Sequence, residues 1–260
     1  MKKLIVRVAV VLAVLLIVAV VASFFFLGAI VKKGVETVGP QITKTELKLD
    51  GAGLSILSGS GTLKGLFIGN PAGFKTESAI KVGAVSLGVK PGSIFSDKIH
   101  VTQVNVKAPE ITFEGSLAGN NLSKLLENVQ ASAGSTGKTP VESKQASAAK
   151  KIQVDDFLIS GGKINLSVNV PGVGAKSATV PLPEIHLTNL GQGADGITVA
   201  DLTAKVMKEL TEAALKAAEK GIADIGKIGT DAVKDAASKA AGETLDKATK
   251  SVTDILKKKK

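Results

Sequence analysis

The sequence predicts a membrane-anchored α+β chain. It reads as an N-terminal transmembrane helix, a bulged, mostly antiparallel β-sheet domain with one short helix, and C-terminal Ala/Lys-rich helices. Three observations carry this. Val8 to Val31 is a run of 24 residues with no charge and no proline. Residues 41–114 and 152–187 alternate apolar and polar side chains, the pattern of strands with one buried face. From about Thr198 the apolar spacing changes to that of helices.

The N-terminal run reaches about 36 Å as a helix, against a hydrocarbon core of about 30 Å. Lys2, Lys3 and Arg7 precede it, and Lys32 and Lys33 follow. Basic flanks suit a span whose lysines reach back to the interface. A cleaved signal peptide competes, with Val20-Val21-Ala22 before Ser23 as its cleavage sequence. However, the apolar run continues through Phe24 to Leu27, and signal h-regions cover only about 7–15 residues. Residues 1–33 are therefore expected to be a retained anchor with basic flanks. The short basic leader is expected to stay in the cytoplasm, with the bulk of the chain outside it.

Charge excludes some functions. The net charge is +10, yet residues 1–33 carry five basic residues and no acid, and Lys257, Lys258, Lys259 and Lys260 add four more. Nine of the ten net charges thus sit at the chain ends, and Arg7 is the only arginine. Aromatics are 3%, with no Tyr or Trp, so a base-stacking platform is missing. The pattern points to an anionic membrane surface and not to nucleic acid. With no Cys, thiolate chemistry and disulfides are excluded.

Residues 34–200 read as the β-domain. Leu47 and Leu49 open it, then Leu66 and Ile68. Ile80 and Val82 share one phase, and Val85, Leu87 and Val89 the other; Ile99 and Val101 slip likewise to Val104 and Val106. Each one-residue slip predicts a β-bulge. Pro109 starts the strand of Ile111 and Phe113. Leu122, Leu125, Leu126 and Val129 have helical spacing, with Asn120 or Asn121 as cap. Residues 130–150 lack large aliphatics except Val141 and read as a flexible insert. Strand character resumes at Ile152, runs through Ile164 to Val170, turns at Pro171-Gly172, and ends in a strand pair around Pro181 and Pro183. Residues 201–260 read as a helical tail. Its stripe is Leu202, Val206, Leu210, Ala213, Ala214 and Ala217, and it closes in polylysine.

No constellation points to catalysis, a metal or a cofactor. Gly59-Ser60-Gly61 leads into a strand, whereas a dinucleotide loop leads into a helix. Gly172 to Ser177 lacks the Gly that a P-loop needs before Lys176. His100 and His186 read as solvent-facing strand residues. Asp155 and Asp156 are adjacent and point to opposite faces of a strand. Asn70, Pro71, Gly73 and Phe74 lie between strands without acid–base groups, so they read as a structural turn with Phe74 buried.

Several stretches together resemble the AsmA family. They are Asn70-Pro71-Ala72-Gly73-Phe74 after Leu66 to Gly69, Ala108-Pro109-Glu110-Ile111, and Asn120-Asn121-Leu122 with Leu125 to Val129. Lys32 to Asp50 after the span fits too, and Ile159 to Gly162 and Pro181 to Gly191 resemble short AsmA-like envelope proteins of Gram-negative bacteria. The resemblance covers roughly residues 1–215. It implies an inner-membrane anchor, a periplasmic β-domain related to lipid-transfer grooves, and a part in outer-membrane assembly or envelope lipid homeostasis. The implied partners are membrane lipids, phospholipid acyl chains in a β-groove, and envelope proteins. No catalytic residues are implied. Two other readings stay open: a scaffold with a closed β core, and a stress-type protein acting on membranes through its amphipathic tail. In either membrane reading, Lys257 to Lys260 would bind an anionic surface.

Overall fold

The computed structural model describes residues 11, 12, 14, 27–116, 119–135, 150–170 and 174–224. Most of the expected span lies outside them, as do residues 136–149 of the insert, the turn at Pro171-Gly172, and Lys257 to Lys260. Among the described residues, no helix is long and apolar enough to cross a membrane.

The first helix, α1, covers residues 27–43. Strands were expected from residue 41, but the helix continues to Thr43. Lys44 then takes φ 56° and its N–H bonds to the Pro40 carbonyl at 3.0 Å, a left-handed closure of the last turn. The strands are β1 (Leu47–Lys48), β2 (Gly51–Ser55), β3 (Ser60–Gly69), β4 (Ser78–Val89), β5 (Lys98–Lys107) and β6 (Glu110–Glu114). After α2 (Asn121–Ser135) come β7 (Lys151–Ser160), β8 (Lys163–Val170), β9 (Gly174–Pro181) and β10 (Ile185–Leu190). A third helix, α3, covers residues 199–224. All the strands join one sheet. The sheet is mixed: β5 pairs with β7 and β6 with β8 in parallel, and the other pairings are antiparallel. The parallel pairs exist because α2 and the insert form the long crossover that parallel neighbours require.

Consecutive strands are one chain pass interrupted at a crease. β5 and β6 pair with β7 and β8 in one unbroken register, from Lys98 opposite Lys151 to Glu114 opposite Ser167. β9 and β10 likewise keep one register against β8 and β7. Following these registers places Asp50, Gly65, Gly83, Ala108, Gly161 and Pro183 in a single row across the sheet. At that row the buried face switches phase in four passes: Val82 to Val85, Val106 to Ile111, Ile159 to Ile164, Leu182 to Ile185. The row curls the sheet into a half-barrel.

Residue chemistry explains the crease. Gly65, Ala108 and Gly161 have φ of 62°, 49° and 66°. A side chain at Gly65 would collide with the Asp50 carboxylate. Pro109 and Pro183 remove donors where the ladder breaks. The expected bulge in β4 is therefore a different feature. The β3 pairing holds register across it, with Lys64 opposite Ala84 and Leu66 opposite Val82. The slip in β5 is a true irregularity, since the β4–β5 register shifts between Gly88 and Val89.

The concave face holds the core. Ile111, Phe113, Ile164 and Leu166 from the sheet meet Leu122, Leu125 and Val129 of α2, all at most 1% exposed. Asn120 caps α2, its Oδ1 accepting from Ser123 N–H at 2.8 Å. α2 runs six residues past Val129, into the segment expected to be a flexible insert. Asn128 Nδ2 donates to Thr43 O at 3.0 Å and Ser132 Oγ lies 3.0 Å from Ile42 O, fixing that end to α1. α3 begins with an N-cap in which Thr198 Oγ1 accepts from Asp201 N–H at 3.0 Å and donates to Asp201 Oδ2 at 2.6 Å. Met207, Leu210, Ala214 and Ala218 then pack on the sheet.

Candidate functional site

Two features stand out: a polar lock at one end of the sheet and an apolar cleft under α3. The lock joins the turn after β3 to α2. Asn121, fully buried, donates from Nδ2 to Asn70 Oδ1 (2.7 Å) and Thr112 O (2.8 Å). Its Oδ1 accepts from the N–H groups of Glu114 and Leu122, both at 3.0 Å. Asn70 Nδ2 donates to Thr76 O (2.7 Å) and Oγ1 (2.6 Å). Glu114 accepts from Thr76 Oγ1 (2.6 Å), Thr76 N–H (2.8 Å) and Lys75 N–H (2.7 Å). Burial opposes the Glu114 charge, but the Thr76 hydroxyl, the two N–H groups and the Lys75 charge together hold its pKa below the usual glutamate value. Both side-chain polar atoms of Asn121 are satisfied, and three of their four partners are backbone groups that the carboxamide holds in place.

Of the residues singled out from sequence, Asn70 and Asn121 meet directly, and Leu122 and Leu125 lie in the core. Pro71 is buried and Gly73 has φ 99°. Phe74, expected to be buried, is half-buried, in a turn flanked by the exposed Ala72, Gly73 and Lys75. Glu114 and Thr76 were missed. A carboxylate in a period-two strand reads as a solvent-facing residue until its partners are known.

Pro109 serves the cleft. It is buried and packs with Leu182 around Gly162, where a Cβ would sit 2.9 Å from Pro109 Cγ and 2.8 Å from Leu182 Cδ2. Pro181 ends β9, and Pro183 is exposed at the crease. The cleft floor is Leu66, Ile68, Ile80 and Val82, with Val106, Phe157 and Ile159 beside them. Its roof is Leu202, Thr203, Val206, Met207 and Leu210 of α3. The cavity is about 230 Å³, and Thr203 is its single polar side chain. Met207 escaped the sequence stripe, which followed Val206 instead.

His186 is exposed on β10 as expected, whereas His100 is not solvent-facing. His100 is half-buried, with Nε2 2.6 Å from Asp155 Oδ2, while His186 Nε2 lies 2.5 Å from Asp156 Oδ1. Each pair is diagonal across neighbouring strands, since His100 sits opposite Gln153 and His186 opposite Leu158. Bonds from the Gln153 amide and His100 hold the Asp155 carboxyl below the usual aspartate range.

The sequence model of the AsmA family matches residues 1–182, more than half of the chain. The chain belongs to the AsmA family. Comparison with curated proteins and with solved structures gave no match. The AsmA match spans every strand up to β9 and α2, and so includes both the lock and the cleft floor. It stops before α3, so the cleft roof lies outside the matched region. AsmA membership suggests an envelope-associated function.

Proposed function

We propose that this AsmA-family protein is a non-enzymatic, inner-membrane-anchored periplasmic protein that serves envelope lipid homeostasis by holding part of an acyl chain in the cleft under α3. The observation that carries this is the lining: apolar side chains from four strands and α3 with one hydroxyl, Thr203, around about 230 Å³. Typical small-molecule sites hold about 300–1,000 Å³. The cleft therefore fits a segment of one chain, with a headgroup left outside. The anchor reading is supported by the 24-residue uncharged run and by residues 11, 12 and 14, which are helical with exposed side chains. The test is native mass spectrometry of the detergent-extracted full chain. Co-purifying phospholipid is expected, and Val206→Phe, which fills the cleft, should remove it.

A scaffold with a closed core is the second reading. It is favoured by the completeness of the core beside α2, where Phe113, Leu122, Leu125 and Ile164 are all fully buried. In that case neither the parent nor Val206→Phe carries lipid.

A further inference from the structure

One end of the sheet carries exposed apolar side chains on its loop tips and lies beside the start of α1. The first strand pass runs antiparallel to that helix. Gly28 abuts the Ala52 carbonyl, Lys32 Nζ donates to Asp50 O at 3.3 Å, Glu36 Oε1 accepts from Leu49 N–H at 3.2 Å, and Gly39 abuts Leu47. Gly28 to Gly39 and Leu47 to Ala52 cover the same length, about 17 Å. β2 continues past Gly28 for about 10 Å to Ser55, then turns at Ile56 to Gly59. That tip extends beyond the first described residues of α1.

The neighbouring loops end at the same level. Val89 N–H bonds to Gly59 O at 2.6 Å, which brings the β4–β5 connection beside the hairpin tip. Lys98 Nζ reaches Gly193 O at 2.6 Å, and Ile152 and Ile197 exchange backbone bonds, which brings in the loop before α3. Leu57 is 78% exposed on the hairpin tip, Phe95 77% on the connection, and Val199 45% at the start of α3. Among the described residues beyond Ile30, Val38 is the one large exposed apolar side chain located elsewhere. Around this end the exposed lysines Lys90, Lys150 and Lys151 outnumber the exposed Asp97 and Asp195.

We propose that this end of the sheet, Leu57 and Phe95 foremost, seats in the interfacial layer of an anionic lipid bilayer. Single apolar side chains on separate loop tips, backed by lysines, match an interfacial surface, where apolar groups enter the acyl boundary and amines stay with phosphates. The contact would hold the half-barrel in a fixed attitude to the bilayer. It rests on the anchor reading of residues 8–31.

The chain has no Trp and no Tyr, so one introduced indole reports without background. Full-length Phe95→Trp, Leu57→Trp, Ala72→Trp and Val18→Trp variants are reconstituted into phosphatidylethanolamine–phosphatidylglycerol vesicles with acyl-brominated lipids. Ala72 is exposed at the opposite end of the sheet. Phe95→Trp and Leu57→Trp should show blue-shifted emission and strong bromine quenching, greatest for shallow bromines. Ala72→Trp should stay unquenched, and Val18→Trp should be quenched by deep bromines. Water-like, unquenched emission from both loop reporters, with Val18→Trp quenched, overturns the interfacial contact and leaves the anchor standing. An unquenched Val18→Trp overturns the anchor, and quenched loop reporters would then still support the contact. A blue shift that grows with protein density but ignores bromine assigns this end to a second copy of the chain and overturns the proposal.

Discussion

Asn121 Nδ2 donates to Asn70 Oδ1 at 2.7 Å, joining residues 51 apart in sequence. The bond ties the turn after β3 to the first residue of α2. Because Asn121 also accepts from Glu114 N–H, one carboxamide holds a turn, a strand end and a helix start together.

Replacing it should therefore be costly. Asn121→Ala removes the side-chain partner of the half-buried Glu114 N–H, Thr112 carbonyl and Asn70 carboxamide. A fully buried unsatisfied group costs about 1–3 kcal/mol, so these together should cost about 2–4 kcal/mol in urea unfolding of the detergent-solubilised chain. Asn70→Ala, at a half-buried position, should cost about 1–2 kcal/mol. Equal, small losses at both positions would show that the lock does not hold the fold.

Glu114 gives the lock a pH dependence. Its folded pKa lies below the ordinary glutamate value of about 4.3. A depressed carboxylate contributes stability that is fully present above the ordinary value and is lost as pH falls through the folded pKa. The urea midpoint of the parent should thus drop as pH falls from about 5 to below 4. Glu114→Gln should lower the midpoint at neutral pH and flatten that acid slope. An unchanged slope would place the acid sensitivity in other carboxylates.

How much of this was legible in the sequence depends on whether the signal was local. Leu122, Leu125 and Val129 announce α2 by spacing alone, and all three are buried. The slips at Val82–Val85 and Val101–Val104 are visible as broken alternation. Whether each is a bulge or a crease is set by the partner strand. Gly65 stands opposite Gly83, and only the pairing reveals that the crease crosses both passes there. The cleft was illegible for the same reason: its floor and roof are separated by more than a hundred residues in places, as Leu66 and Leu202 are. The His100–Asp155 pair needed the parallel β5–β7 register, which alternation cannot supply.

Phe74 tests a half-buried ring. A fully buried Phe replaced by Ala costs about 3–5 kcal/mol. Since Phe74 keeps part of its surface in water, Phe74→Ala should cost about 1–2 kcal/mol. A loss at the full-burial level would mean that the ring is covered in solution by something beyond the described residues.

Gly221 sets two effects against each other. In a helix, Gly→Ala gains about 1 kcal/mol of propensity. Here the added methyl would sit 2.6 Å from Leu166 Cδ1 and 2.8 Å from Val180 Cγ1. Overpacking of that kind costs about 1–3 kcal/mol. Gly221→Ala should therefore be neutral to destabilising by about 2 kcal/mol, and Gly221→Leu clearly worse. Hydrogen exchange along α3 reads the difference: faster exchange confirms a tight seat on β8 and β9, whereas slower exchange would mean that the helix end sits loosely.

Thr211 should respond with the opposite sign to Asn121. Both are buried polar residues, Thr211 at 2% exposure on the inner face of α3 beside Met207, Leu210 and Ala214. Both side-chain polar atoms of Asn121 are paired, whereas Thr211 Oγ1 has no hydrogen-bond partner among the described residues. A buried hydroxyl without a partner costs about 1–3 kcal/mol by mutational measures. Thr211→Val keeps the β-branched shape and nearly the same helix propensity while removing that hydroxyl. The added methyl meets a site that already holds an atom of similar size. Thr211→Val should then raise stability by about 1 kcal/mol in urea unfolding, and Thr211→Ser, which keeps the hydroxyl and loses the methyl, should lower it. If Thr211→Val destabilises by as much as Thr211→Ser, the hydroxyl is bonded in solution, to a water or to a group outside the described residues.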